Sequence, residues 1–67
     1  MSLPKFIKEK RKLLNLTQQD LADKSGVGIR FIRDLEQGKL TLRMDKVNQV
    51  LSLFGQELGP VSLNKKN

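Results

Sequence analysis

The chain has 67 residues, with 13 Lys and Arg against 7 Asp and Glu, no His and no Cys, for a net charge of +6 at pH 7. That length predicts one domain near the size at which a single apolar core barely holds a fold, so dense helix packing or association with another chain is expected. The missing Cys and His exclude a disulfide framework and the usual zinc sites, and the basic balance favours a polyanionic partner, nucleic acid above all.

Ser2 stands where it can cap a first helix whose opening turn holds Pro4, a position that tolerates proline. Phe6, Ile7, Leu13 and Leu14 recur at helical spacing, with Lys5, Lys8, Glu9 and Lys12 opposite them. Lys10 falls on the apolar side, where a long methylene stem can snorkel to water. Asn15 ends this helix, and Leu16 is expected to drop into the core. Thr17 is a good N-cap for a second helix, with Asp20 close to a capping box and well placed for the helix dipole. Leu21 and Ala22 face inward, and Ser25-Gly26 interrupts the pattern where Gly26 can take a positive φ at low cost. Val27 re-enters the core.

Gly28 opens a third helix. Taking Ile29 as the origin, Phe31 lies at about 200°, Leu35 at about 240° and Ile32 at about 300°, which makes one buried stripe. On the outward side lie Ile29 itself, Arg33 near about 40°, Arg30 near about 100° and Asp34 near about 140°. Gly38 stops this helix, and residues 39–42 form a loop. A fourth helix is predicted from about Arg43 to Phe54, burying Met44, Val47, Val50, Leu51 and Phe54, with Gly55 at its end. Leu53 sits off that stripe and is a candidate dimer contact. Residues 1–55 thus form the helical domain and 56–67 a tail. Its strand-like residues are interrupted by Gly59-Pro60, which limits any strand to a short or edge element.

Thr17-Gln18, Leu21-Ala22, Gly26-Val27, Ile32, Leu35-Glu36 and Gly38-Lys39 resemble the Cro/repressor-type (XRE) helix-turn-helix family, over most of the chain. EKRKLLNLTQ and EQGKLTLRMDKVNQVLSLFG are most similar to HipB-type antitoxins, whose helical domain precedes a short C-terminal strand. The resemblance implies an all-α domain of four to five helices and a homodimer. In it the strands of two subunits would pair through Leu58, Val61 and Leu63, with Pro60 as a departure. It also implies a HipA-type kinase toxin as a possible protein partner. Arg11 and Glu36 match a family pair that meets across the core, so they are expected to be a structural ion pair.

Arg30 and Arg33 are the leading candidates for DNA contact, because arginine can bond a guanine edge with both arms of its fork. The alternative is a solvated helix face with an ion pair to Asp34 or Glu36. By resemblance Ile29 lies nearest the bases, where it would meet a thymine methyl or simply be an exposed aliphatic. Gly28 matches a position often held by a polar cap and would offer only its backbone N–H. By resemblance Gln18 sits where relatives bond phosphate and brace the recognition helix, and with Thr17 it brings the positive end of the second helix toward phosphate, with plain capping as the alternative. Lys39, Thr41 and Arg43 follow as phosphate contacts or as a solvated loop.

Catalysis has little support: Asp20 and Asp23 read as dipole and surface charges, no His can act as base, and no phosphate-binding glycine loop occurs. Three Phe with no Tyr or Trp argue against a stacking platform for single strands. The longest apolar runs are too short for a membrane span or a signal-peptide core. The chain therefore reads as a cytoplasmic, non-enzymatic repressor without cofactor or metal, binding a palindromic double-stranded operator as a homodimer. It would act as the autorepressing antitoxin of a HipBA-like operon. The alternatives are an antitoxin acting mainly by sequestering a toxin kinase, or an adaptor that uses the same fold for protein contacts.

Overall fold

The computed structural model describes residues 2–39 and 41–56. Among these there are four helices and no strand: α1 (Leu3–Leu13), α2 (Gln18–Ser25), α3 (Ile29–Glu36) and α4 (Met44–Ser52). The expected C-terminal strand, with Leu58, Val61 and Leu63, lies outside the described residues.

Each boundary has a local cause. The Ser2 hydroxyl accepts from the Lys5 N–H at 3.3 Å and Pro4 sits in the first turn of α1, where its missing N–H costs no helical bond. Asn15 takes a φ of 60°, and this left-handed residue turns the chain toward α2. Gly26 (φ 81°) caps α2, donating its N–H to the Ala22 carbonyl at 2.9 Å. Gly28 is the N-cap of α3 and forms no side-chain cap bond, as a glycine must. Gly38 (φ 84°) follows the end of α3.

One core unites the four helices: Ile7 from α1, Leu21 and Ala22 from α2, Val27 from the turn, Ile32 and Leu35 from α3, and Val47, Val50 and Leu51 from α4. Leu3, Phe6, Ile29, Phe31, Leu42 and Phe54 pack around it, half-buried. The Phe6 and Phe54 rings meet edge to face at 6.4 Å and 84°, closing the end of α4 onto α1. Lys10 snorkels as its position requires, with its Nζ 5.7 Å from the centre of the Phe6 ring.

Several sequence expectations need correction. Leu13 and Leu14 are 73% and 52% exposed rather than buried. The inward stripe of α1 runs through Leu3, Ile7 and Arg11 at a spacing of four, so Leu13 falls on its flank, and Leu14 is already the C-cap as the chain turns outward. Met44 is 64% exposed because it is the first residue of α4 and its side chain leans back past the helix end. Ile29 is half-buried against the core rather than fully outward, being only about 60° from Ile32 around the helix. The fourth helix also stops short of Phe54: Leu53 is its C-cap, and Phe54 reaches Phe6 from the turn that follows.

Candidate nucleic-acid interface

α2 and α3, with the turn between them, make a helix–turn–helix whose outward side is built from the predicted residues. The N-terminus of α2 is set by a complete capping box. Thr17 Oγ1 accepts from the Asp20 N–H at 3.0 Å, and Asp20 Oδ2 accepts from the Thr17 N–H at 2.9 Å. The Thr17 N–H on that carboxylate first, then the nearby Thr17 hydroxyl, with the Lys24 charge a lesser contribution, hold the Asp20 carboxyl below its ordinary value against the opposing effect of desolvation. The N–H groups of Gln18 and Gln19, which precede the first intrahelical bond, are left as donors at the positive helix end.

Gln18 and Glu36 reveal how α2 is braced against α3. The Gln18 amide donates to Glu36 Oε1 at 3.1 Å. Glu36 also accepts from Arg11 Nε at 2.7 Å and from Arg11 Nη2 at 3.1 Å, while Arg11 Nη1 donates to the Leu16 carbonyl at 2.9 Å. A buried carboxylate at the end of α3 thus gathers donors from α1 and α2, and the arginine left over ties down the α1–α2 loop. The expected Arg11–Glu36 ion pair is present. Gln18 joins it and so braces α3, as the resemblance implies, with Glu36 as the acceptor.

On α3, Arg30 and Arg33 are exposed. The alternative of intrahelical ion pairing does not hold among the described residues, because Asp34 lies 3.6 Å from Lys39 Nζ and Glu36 belongs to Arg11. Both guanidinium groups are therefore available to a ligand. Gly28 and the first N–H groups of α3 lie beside them, with Ile29 half-buried between. The turn itself is held from outside by Gln49 on α4, whose amide donates to the Ser25 carbonyl at 2.8 Å. No sequence signal marked Gln49.

The residues after α3 are exposed cations with local partners. Lys39 carries the Asp34 contact just given, and Arg43 grips Asp45 through Nε at 3.1 Å and Nη2 at 2.7 Å, which holds the Asp45 carboxyl below its ordinary value. Thr41 is exposed between them. These surface pairs exchange readily for a phosphate, since exposed ion pairs are worth at most about 1 kcal/mol. Among the candidate dimer contacts Leu53 is 38% exposed, and Leu58, Val61 and Leu63 fall outside the described residues. No described helix is long and apolar enough to cross a membrane.

A family model described as "Helix-turn-helix" matches residues 7–60 of the chain. An uncharacterized HTH-type transcriptional regulator, y4mF, of Sinorhizobium fredii is 56% identical over 45 residues, which make up 67% of this chain and 59% of that protein. The chain thus spans less than two thirds of this relative. No solved structure matches it significantly.

Proposed function

The chain belongs to the helix-turn-helix family, and we propose that it is a sequence-specific DNA-binding repressor that acts as a homodimer. The observation that carries this reading is the pair of exposed arginines on α3, neither engaged by a carboxylate, on a protein of net charge +6. In this reading α3 lies in the major groove. Arg30 and Arg33 meet guanine edges or flanking phosphates, and Ile29 and the backbone at Gly28 approach the bases.

Thr17 and Gln18 set the positive end of α2 against the phosphate backbone, and Lys39, Thr41 and Arg43 fix the register on the far side. Two subunits related by a dyad, joined through Leu53 and the residues after it, place their α3 helices about 34 Å apart on a palindromic operator. The similarity to HipB-type antitoxins supports a cytoplasmic autorepressor of a toxin–antitoxin operon.

The test is a mobility-shift titration against the promoter of the protein's own operon and against random duplex, at two salt concentrations. If each dimer meets six or so phosphates, binding falls roughly 10³-fold between 50 and 200 mM salt. Equal affinity for the two duplexes rules out the specific-repressor reading.

A second reading is an antitoxin that chiefly holds a kinase toxin. It is favoured by the exposed Leu13 and Leu14 at the end of α1, where a shallow groove is lined by Phe6, Glu9, Lys10 and Leu13. Co-purification with the product of a neighbouring kinase-like reading frame supports it, and failure to co-purify counts against it. An adaptor that never meets DNA predicts no salt-sensitive shift at all.

A further inference from the structure

Gln49 stands on α4, outside the helix pair, yet it reaches the first peptide plane of the turn that leads from α2 to α3. Its Nε2 donates to the Ser25 carbonyl at 2.8 Å and lies 2.9 Å from where a Cβ on Gly26 would sit. The Ser25–Gly26 peptide joins the last residue of α2 to a left-handed residue. The carbonyl held by Gln49 reports ψ of Ser25, and any change in ψ of Ser25 that φ of Gly26 does not cancel redirects everything downstream.

Two neighbouring carbonyls, those of Leu21 and Ala22, are secured from within the motif. Leu21 O accepts from Ser25 Oγ at 2.6 Å, and Ala22 O accepts from the N–H groups of Gly26 at 2.9 Å and Val27 at 3.2 Å. The Ser25 carbonyl is instead secured from a helix anchored in the core by Val47, Val50 and Leu51.

We infer that Gln49 is a positioning residue for DNA reading: by holding the Ser25–Gly26 plane it fixes the direction of α3, and with it the reach of Arg30 and Arg33 to base edges. This rests on the DNA-binding reading above. Phosphate contacts tolerate a small swing of α3, because long cationic side chains adjust. Two-armed contacts to one base edge do not. Loss of Gln49 therefore costs discrimination between sequences more than it costs affinity for DNA in general.

The experiment uses the full chain and two duplexes, one selected from a random pool by the wild-type protein and one a scramble of it. Gln49→Met keeps the length and bulk of the side chain and deletes the donor. Gln49→Glu places an acceptor against the Ser25 carbonyl. In Gln49→Met the ratio of affinities for the two duplexes falls about 3- to 10-fold, while binding to the scramble changes by less than about twofold. Gln49→Glu lowers the ratio further.

Amide hydrogen exchange at Gly26 and Val27 accelerates in both variants while that of Ile7 does not. Equal losses on both duplexes, or unchanged exchange at Gly26 and Val27, overturn the assignment. A wild-type protein that selects no duplex removes the DNA reading and this role with it, whereas the exchange measurement reports separately on whether Gln49 holds the turn.

Discussion

Arg11 and Glu36, 25 residues apart, are joined by two parallel hydrogen bonds, Nε to Oε2 at 2.7 Å and Nη2 to Oε1 at 3.1 Å, with both side chains largely out of water. A pair of this kind resists single substitution far more than it adds to stability. Removing one partner leaves a desolvated charge, and Glu36→Leu also strands the Gln18 amide and the Arg11 fork together. Arg11→Met or Glu36→Leu alone is expected to cost about 3–5 kcal/mol, and the double variant much less than their sum. Urea unfolding of the four proteins closes the cycle. Additive losses show that the two residues do not act as a pair.

Gln18 shares the same carboxylate oxygen and tests how far the brace extends to α2. Gln18→Ala deletes one hydrogen bond to a charged acceptor and leaves Arg11 in place, so a loss of about 1.5–3 kcal/mol is expected. In a Glu36→Leu background the same change should be nearly silent. A full additional loss there means that Gln18 stabilises the protein by some other contact.

The two classes of cation separate by sequence dependence. Arg30→Ala is expected to lose about 1–3 kcal/mol of discrimination at one base pair of each half-site and to relax the preference there. Lys39→Ala is expected to weaken all duplexes alike and to reduce the salt slope by about 1 per subunit. Titrations on the selected site and its single-base variants distinguish them. An Arg30→Ala protein that keeps its full preference places the reading of sequence elsewhere.

Much of this is legible in the sequence, for definite reasons. Thr17, Asp20 and Gly26 act through their own backbone, so capping and turn chemistry are local and visible in sequence. The α3 stripe of Ile32 and Leu35 follows from angle counting, and so does the outward placement of Arg30 and Arg33. The failures sit at helix ends. Leu13, Leu14 and Met44 are apolar and in plausible phase, yet each lies where its helix has run past the core or has not yet reached it.

Glu36 falls about 340° around from Ile29, close to Ile32, which marks a carboxylate on the apolar side and hence one needing a partner. That Arg11 supplies the partner, and that Gln18 braces this helix, follow from the resemblance; that Gln18 does so through Glu36 itself is seen only in the structure. Gln49 was illegible because its bond joins segments 24 residues apart and carries no periodic signature.

The capping box carries a pH dependence. The Thr17 backbone N–H and hydroxyl lower the folded pKa of Asp20 below its ordinary value. A group with a depressed folded value contributes stability that is fully present above its unfolded value and lost as pH falls through the folded one. The urea midpoints of wild type and Asp20→Asn should therefore differ at neutral pH and converge under acid conditions below that window. A difference that persists unchanged in strong acid would mean that the carboxylate charge is not the source. Thr17→Ala, which removes the other half of the box, should cost about 1 kcal/mol at neutral pH.

Gly26 joins the turn's conformation to its neighbour on α4. Its φ of 81° lies in the left-handed region, and a Cβ there would sit 2.9 Å from Gln49 Nε2. Gly26→Ala thus meets two separate penalties, the left-handed backbone at about 1–2 kcal/mol and the displacement of the Gln49 amide from the Ser25 carbonyl. Only the second depends on residue 49. The side chain of Gln49 is flexible and exposed, so it can swing aside, and the clash should appear as a lost hydrogen bond rather than as a distorted core. In a Gln49→Ala background the cost of Gly26→Ala should therefore fall by about 0.5–1.5 kcal/mol, the worth of that bond. Thermal or urea unfolding of the four proteins gives the coupling directly. A coupling near zero means that the amide contributes nothing to the turn and leaves backbone conformation as the sole reason for glycine at this position.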